Sequence, residues 1–275
     1  YYLPSEPGTG TAEDLGYGEK LVCDALALWD GPRDEVLVAT KTGYRRTCEA
    51  VAATDGTHSV GADESRPQGR RPGEERQHLQ AAGSQYGWMA DSRPETMIRD
   101  AKESALHLGV DTLDLLYSHG PDPAVPYEDQ CGALKQLLDE GVIKYAGISR
   151  VNNEQIDLAR SIIGSGLVAV QNQFSPSHPD PEHTMEHCAE LGLAFVCWSP
   201  LGGFLDTFDQ SAYDPFRTVA AQRGCSYQRV VLAWELTRYE RLFTIPSARN
   251  PQEINDSFAA TQLQLTQEEL AMLPC

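Results

Sequence analysis

The sequence predicts an α/β fold in which short parallel strands alternate with helices, as in a (β/α)8 barrel. Three observations carry this. From Pro94 onward, short apolar runs alternate with helical patterns of about 10–15 residues, as right-handed βαβ units require. The 275 residues suit one such barrel, whose usual size is about 250 residues. The string Ala194-Phe-Val-Cys-Trp-Ser-Pro-Leu-Gly-Gly203 is a buried strand that ends in an aromatic, a hydroxyl, a proline and two glycines. Parallel α/β folds place ligands where such strands end.

In chain order, the first strand is predicted at 36–41. Periodicity through Met97, Ala101, Leu106 and Leu108 then gives a helix that leads to a strand at 113–117. Further helices are predicted at 128–140, 154–163, 181–191, 215–222, 227–237, 252–260 and 267–273. The strands between them fall at 145–148, 168–171, 194–197 and 242–245. Thr266, followed by two glutamates, is an N-cap. The stretch 48–85 has hardly an apolar residue between Val60 and Leu79 and cannot offset its ordering entropy, so it reads as a disordered insertion. A mobile lid and a passive insertion are both open to it.

Composition narrows the function classes. A net charge of −18 repels nucleic acid and anionic membrane, and no apolar run approaches the ~18 residues of a membrane span. Seven scattered cysteines without a C-x-x-C read as reduced thiols, and no secretion signal opens the chain, so a cytoplasmic setting is expected. His183-Thr-Met-Glu-His187 matches an H-x-x-E-H zinc pattern, but on an outward-facing helix it reads as a solvated face, and no metal is expected. Neither a G-x-G-x-x-G nor a G-K-[S/T] string is present.

Five strings in a fixed order resemble the aldo-keto reductase family: 36–41 ending in Lys41, 109–119 ending in His119, 141–149, 168–174 and the Trp-Ser-Pro-Leu-Gly loop. Ile245–Ser257 is similar to the family's closing cofactor segment. The resemblance implies an NAD(P)(H)-dependent oxidoreductase acting on an aldehyde, a ketone or an alcohol, with NADP(H) or NAD(H) as cofactor. It also implies a barrel short at its N-terminus, since only ten residues precede Thr11 and six barrel strands are counted. Such a barrel leaves open edges: either the chain is truncated or a partner covers the gap, and a homo-oligomer stays open.

In the family a tyrosine protonates the carbonyl oxygen, a lysine paired with an aspartate lowers the tyrosine's pKa, and a histidine orients the carbonyl. The motif D-T-A-x-x-Y-G-x-G-E aligns with Gly10–Glu19, which places Gly10 at the aspartate position and Leu15 at the tyrosine position. Lys41 and His119 remain. Three readings stay open: Tyr17 reaches in from two residues away, Lys41 or His119 acts without the tyrosine, or the chain is a non-enzymatic binding relative. Lys41 as the amine of a cofactor-independent lyase belongs to the second. On the cofactor side the resemblance implies Ser149 and Gln171 for the nicotinamide amide, with Arg150 where an asparagine is usual. It implies Trp198 for stacking and Ser199, Leu201 and Gly202 for the pyrophosphate. A carboxylate at Glu253 opposes a 2′-phosphate and would sooner accept from a ribose hydroxyl, and Arg249 could partly compensate as a phosphate fork.

Overall fold

The computed structural model describes residues 16–46, 88–202 and 209–274. The insertion expected at 48–85 and the motif positions Gly10 and Leu15 lie outside the described residues. The sequence predicts one domain over 1–275; the chain forms two compact units, Tyr1–Ser149 with Glu154–Leu167, and Arg150–Asn153 with Val168–Cys275.

The first unit holds α1 (Tyr17–Ala27), β1 (Ala39–Thr42), β2 (Tyr44–Arg46), β3 (Trp88–Ala90), α2 (Pro94–Leu108), β4 (Leu113–Ser118), α3 (Tyr127–Asp139), β5 (Ile143–Ser149) and most of α4 (Asn153–Ile163). β4 lies between β1 and β5 and is parallel to both. Its Leu113, Leu115, Leu116 and Tyr117 are all buried, as a parallel strand covered on both faces requires. α2 follows from its punctuation: Pro94 opens it, Gly109 closes it at φ 68°, and Met97, Ala101, Ala105 and Leu108 form the buried stripe. The prediction for β1 began at Val36, but the strand starts at Ala39. The Val38 amide donates to the Asp114 carboxylate (3.1 Å) instead of a ladder carbonyl. Asp114 also binds Lys144 (2.6 Å) and Arg33 (3.0 Å), so the approach to β1 is fixed by side chains.

The second unit holds the rest of β6 (Leu167–Gln173), α5 (Thr184–Glu190), β7 (Ala194–Trp198), α6 (Asp214–Arg223), α7 (Tyr227–Leu236), β8 (Leu242–Thr244), α8 (Pro251–Ala259) and α9 (Gln267–Leu270). β7 pairs in parallel with β6 and β8. α5 begins three residues later than the sequence suggests, because His183 takes a left-handed φ of 54° and Asp180 accepts the Met185 amide at 2.8 Å. No helix among the described residues is long and apolar enough to cross a membrane. Cys23, Cys131, Cys188, Cys197 and Cys225 are free thiols.

Thr266 does cap α9, in a capping box with Glu269. Arg223 holds the same Glu269 carboxylate through Nε (2.5 Å) and Nη2 (2.7 Å). The guanidinium, then the Thr266 amide, pull its pKa down to about 2. A depressed acid stabilises the fold above its ordinary pKa, and that stabilisation fades as pH falls towards the folded value. Glu269→Gln is therefore expected to flatten the stability curve between pH 4.5 and about 2, read from urea midpoints.

Candidate active site

Lys41 is the third residue of β1 and stands opposite Tyr117 of β4, which in turn stands opposite Gly147 of β5. Its Nζ lies over the Tyr117 ring, 5.7 Å from the centroid. Tyr117 is 3% exposed. The ladder runs one bond beyond the strands, from the His119 amide to the Thr42 carbonyl (2.9 Å), so His119 leaves the end of β4 beside the end of β1. His119 and Tyr117 are two residues apart and share a face by the strand period.

The loops around His119 are tied together. Gly43 turns the chain after β1 at φ 88°, and a Cβ there would lie 2.7 Å from Ser92 Oγ. Its carbonyl accepts from the Asp91 amide (2.9 Å) and from Ser92 Oγ (3.3 Å). Buried Asp122 accepts from the Ser92 amide (3.0 Å) and the Ala124 amide (2.9 Å), while Gln130 bonds both the amide and the carbonyl of Asp122. The Tyr44 ring packs on His119, 5.4 Å between centroids, and its hydroxyl donates to the Pro121 carbonyl (3.2 Å). The sequence reading named none of Tyr44, Ser92, Asp122 or Gln130.

Tyr17 stands elsewhere. It opens α1 and is 39% exposed. Two residues on, Glu19 is buried and accepts from Thr40 Oγ1 (2.9 Å) and Ser104 Oγ (3.1 Å). Thr40 and Lys41 point to opposite faces of β1, so α1 packs on the face that Lys41 does not use. The structure brings Lys41 and His119 to adjacent strand ends and leaves Tyr17 on the outer helix, which corrects the idea that it reaches in.

Ser149 ends β5 and is buried. In the second unit, the Arg150 amide donates to the carbonyl of buried Gln171 (3.2 Å), and Asn172 clamps Val151 through both its amide (3.2 Å) and its carbonyl (2.7 Å). Arg150 takes a left-handed φ of 59° and lays its guanidinium over Trp198, 5.2 Å from the ring centroid. Trp198 Nε1 is buried and has no acceptor among the described residues. Ser199 (φ 54°) and Gly202 (φ 69°) form a tight turn closed by the Gly202 amide on the Ser199 carbonyl (2.9 Å). Leu201 anchors that turn on Leu232, Ala233 and Ala260.

Arg249 is not a free fork. Its Nη2 (2.8 Å), its Nε (3.2 Å) and its backbone amide (2.8 Å) all go to the Glu253 carboxylate, and this pairing holds Glu253 below the usual carboxylate range. Asn250 caps α8 on the Glu253 amide (2.9 Å). No group of three His, Cys, Asp or Glu side chains is arranged to hold a metal among the described residues.

A model of the aldo/keto reductase family matches residues 1–274. The chain belongs to the aldo/keto reductase family. It is 28% identical over 198 residues to pyridoxine 4-dehydrogenase of Escherichia coli (strain K12), covering 70% of this chain and 67% of that one. It is 27% identical over 209 residues to aldo-keto reductase str7 of Strobilurus tenacellus, covering 65% and 62%. The match thus spans about two thirds of the length of these relatives. Among solved structures, the thermostable aldo-keto reductase Tm1743 superposes with a TM-score of 0.67 at 20% identity, over 94% of this chain and 76% of that one. A Bombyx mori aldo-keto reductase in complex with NADP superposes at 0.65 with 21% identity, over 94% and 73%. At those identities the likeness of this aldo/keto reductase-family chain to solved structures concerns the fold.

Proposed function

We propose that the protein is an NAD(P)(H)-dependent oxidoreductase that reduces an aldehyde or ketone, or oxidises the corresponding alcohol, in the cytoplasm. The observation that carries this reading is the placement of Lys41 and His119 at the adjacent ends of two parallel strands, in a member of a reductase family. The His119 imidazole donates a hydrogen bond to the carbonyl oxygen and polarises it. The Lys41 ammonium adds a positive charge beside the alkoxide that develops, and a fixed charge in a dry site is worth far more than in water. With Leu15 at the tyrosine position, the proton that completes the alcohol comes from Lys41 Nζ or from His119.

The residues of the second unit suit a nicotinamide dinucleotide. Trp198 offers an indole face, Gln171 a buried amide, and the 199–202 turn a backbone donor set that Gly202 opens to close approach. When bound, such a cofactor supplies the hydride. A nicotinamide ring stacked on that face of Trp198 would displace the Arg150 guanidinium. Because Glu253 already occupies Arg249, little remains to greet a 2′-phosphate, and NAD(H) binds at least as well as NADP(H).

Titration with NADPH and NADH, followed by quenching of tryptophan fluorescence, tests the reading, with turnover then measured on an aldehyde panel that includes pyridoxal. Glu253→Gln is expected to release Arg249 and shift the NADPH-to-NADH affinity ratio about fivefold towards NADPH, the scale of one exposed ion pair. An unchanged ratio removes Arg249 from the cofactor site. The second reading, cofactor binding without turnover, is favoured by Gly10 and Leu15 at the aspartate and tyrosine positions.

A further inference from the structure

We propose that Tyr117, seated on the backbone of Gly147, is the platform that holds the Lys41 ammonium in place. Tyr117 and Gly147 are then positioning residues for the reaction proposed above. The catalytic consequence rests on that reading, whereas the stacking does not.

Lys41, Tyr117 and Gly147 are consecutive partners across β1, β4 and β5, so all three project from one face of the sheet. A Cβ at Gly147 would stand 2.3 Å from Tyr117 Cε1, 2.4 Å from Cδ1 and 3.0 Å from Cγ. The Tyr117 ring therefore lies flat across the β5 backbone, and only glycine leaves it that room. Lys41 Nζ lies over this ring, 5.7 Å from the centroid, within the range of a cation–π contact. The ring is buried and Lys41 is half-buried. The ring thus restrains a long side chain, with its three to four free torsions, at the strand end next to His119.

The test reads the lysine directly. The chain has five lysines, at 20, 41, 102, 135 and 144, so the Cε–Hε signals of 13C-lysine protein are few enough to assign, with Lys41→Met identifying the one of interest. The Lys41 signal is expected to be shifted upfield by the ring current, to stay shifted in Tyr117→Phe, and to move to the position of a solvated lysine in Tyr117→Leu and in Gly147→Ala. Turnover follows the same order: Tyr117→Phe stays within about twofold of the parent, while the other two lose about tenfold or more, since a displacement of about 1 Å at a reacting group costs up to 10²-fold. Gly147→Ala keeps the tyrosine and so separates loss of the ring from its displacement. A shifted Lys41 signal that survives in Tyr117→Leu overturns the platform. So does a Tyr117→Phe variant that keeps the shifted signal but loses turnover as fully as Tyr117→Leu, because the hydroxyl would then be the acting group. If the parent protein turns over no carbonyl, the oxidoreductase reading fails, and the spectrum still decides the stacking.

Discussion

Glu235→Leu is expected to stabilise the protein at neutral pH by about 1–3 kcal/mol, the desolvation cost of a buried polar group left without a hydrogen bond. Glu235 is on α7, fully buried, and neither carboxylate oxygen has a hydrogen bond among the described residues. An unpaired buried carboxylate cannot stay charged cheaply, so burial pushes its pKa well above the ordinary 4.5. The direction of the pH effect follows. The folded state keeps a proton that the unfolded chain releases, so the ionisation of this group costs nothing below the ordinary carboxylate pKa. Above it, stability falls by about 1.4 kcal/mol per pH unit until the raised pKa is reached. Glu235→Gln removes that slope and keeps the shape; Glu235→Leu also removes the desolvated polar group. Urea midpoints of the three proteins from pH 5 to 8 check both statements, and parallel curves would refute them. The neighbouring Cys197 gives a second indicator, since burial first and then Glu235 raise its thiol pKa.

Lys41→Met is expected to lower carbonyl turnover by about 10²–10⁴-fold while leaving coenzyme titration unchanged. Lys41→Arg is not a rescue, because a planar guanidinium does not hold a proton that can be given up near neutral pH. Equal activity in Lys41→Met would leave the lysine as a strand-end residue over an aromatic ring.

How far the sequence could be read depended on how local the determinants were. α2 is written in its own residues, with a proline, an apolar stripe at helical spacing and a closing glycine, and β4 shows as an uninterrupted apolar run before His119. β2 and β3 were invisible because each is three residues long and the partners are separated by residues 47–87, a pairing that no local pattern encodes. α1 was also missed, since the one side chain it buries is Glu19, and its Leu21 and Val22 face outward, against the usual amphipathic rule. In the site, Lys41 and His119 were legible as the ends of recognisable strings. Tyr117 was not, because an aromatic inside an apolar strand reads as core, and only the register shows which side chain it supports. For Arg249, a sequence gives no sign that Glu253, four residues on, closes on it.

The most direct test of the account is to supply NADPH or NADH deuterated at the transferring C4 position, together with an aldehyde, and to weigh the alcohol formed. The account predicts one deuterium on the carbinol carbon with the parent protein, and the same labelled alcohol formed about 10²–10⁴-fold more slowly with Lys41→Met. Alcohol without deuterium, or no alcohol from either coenzyme across the aldehyde panel, would contradict it.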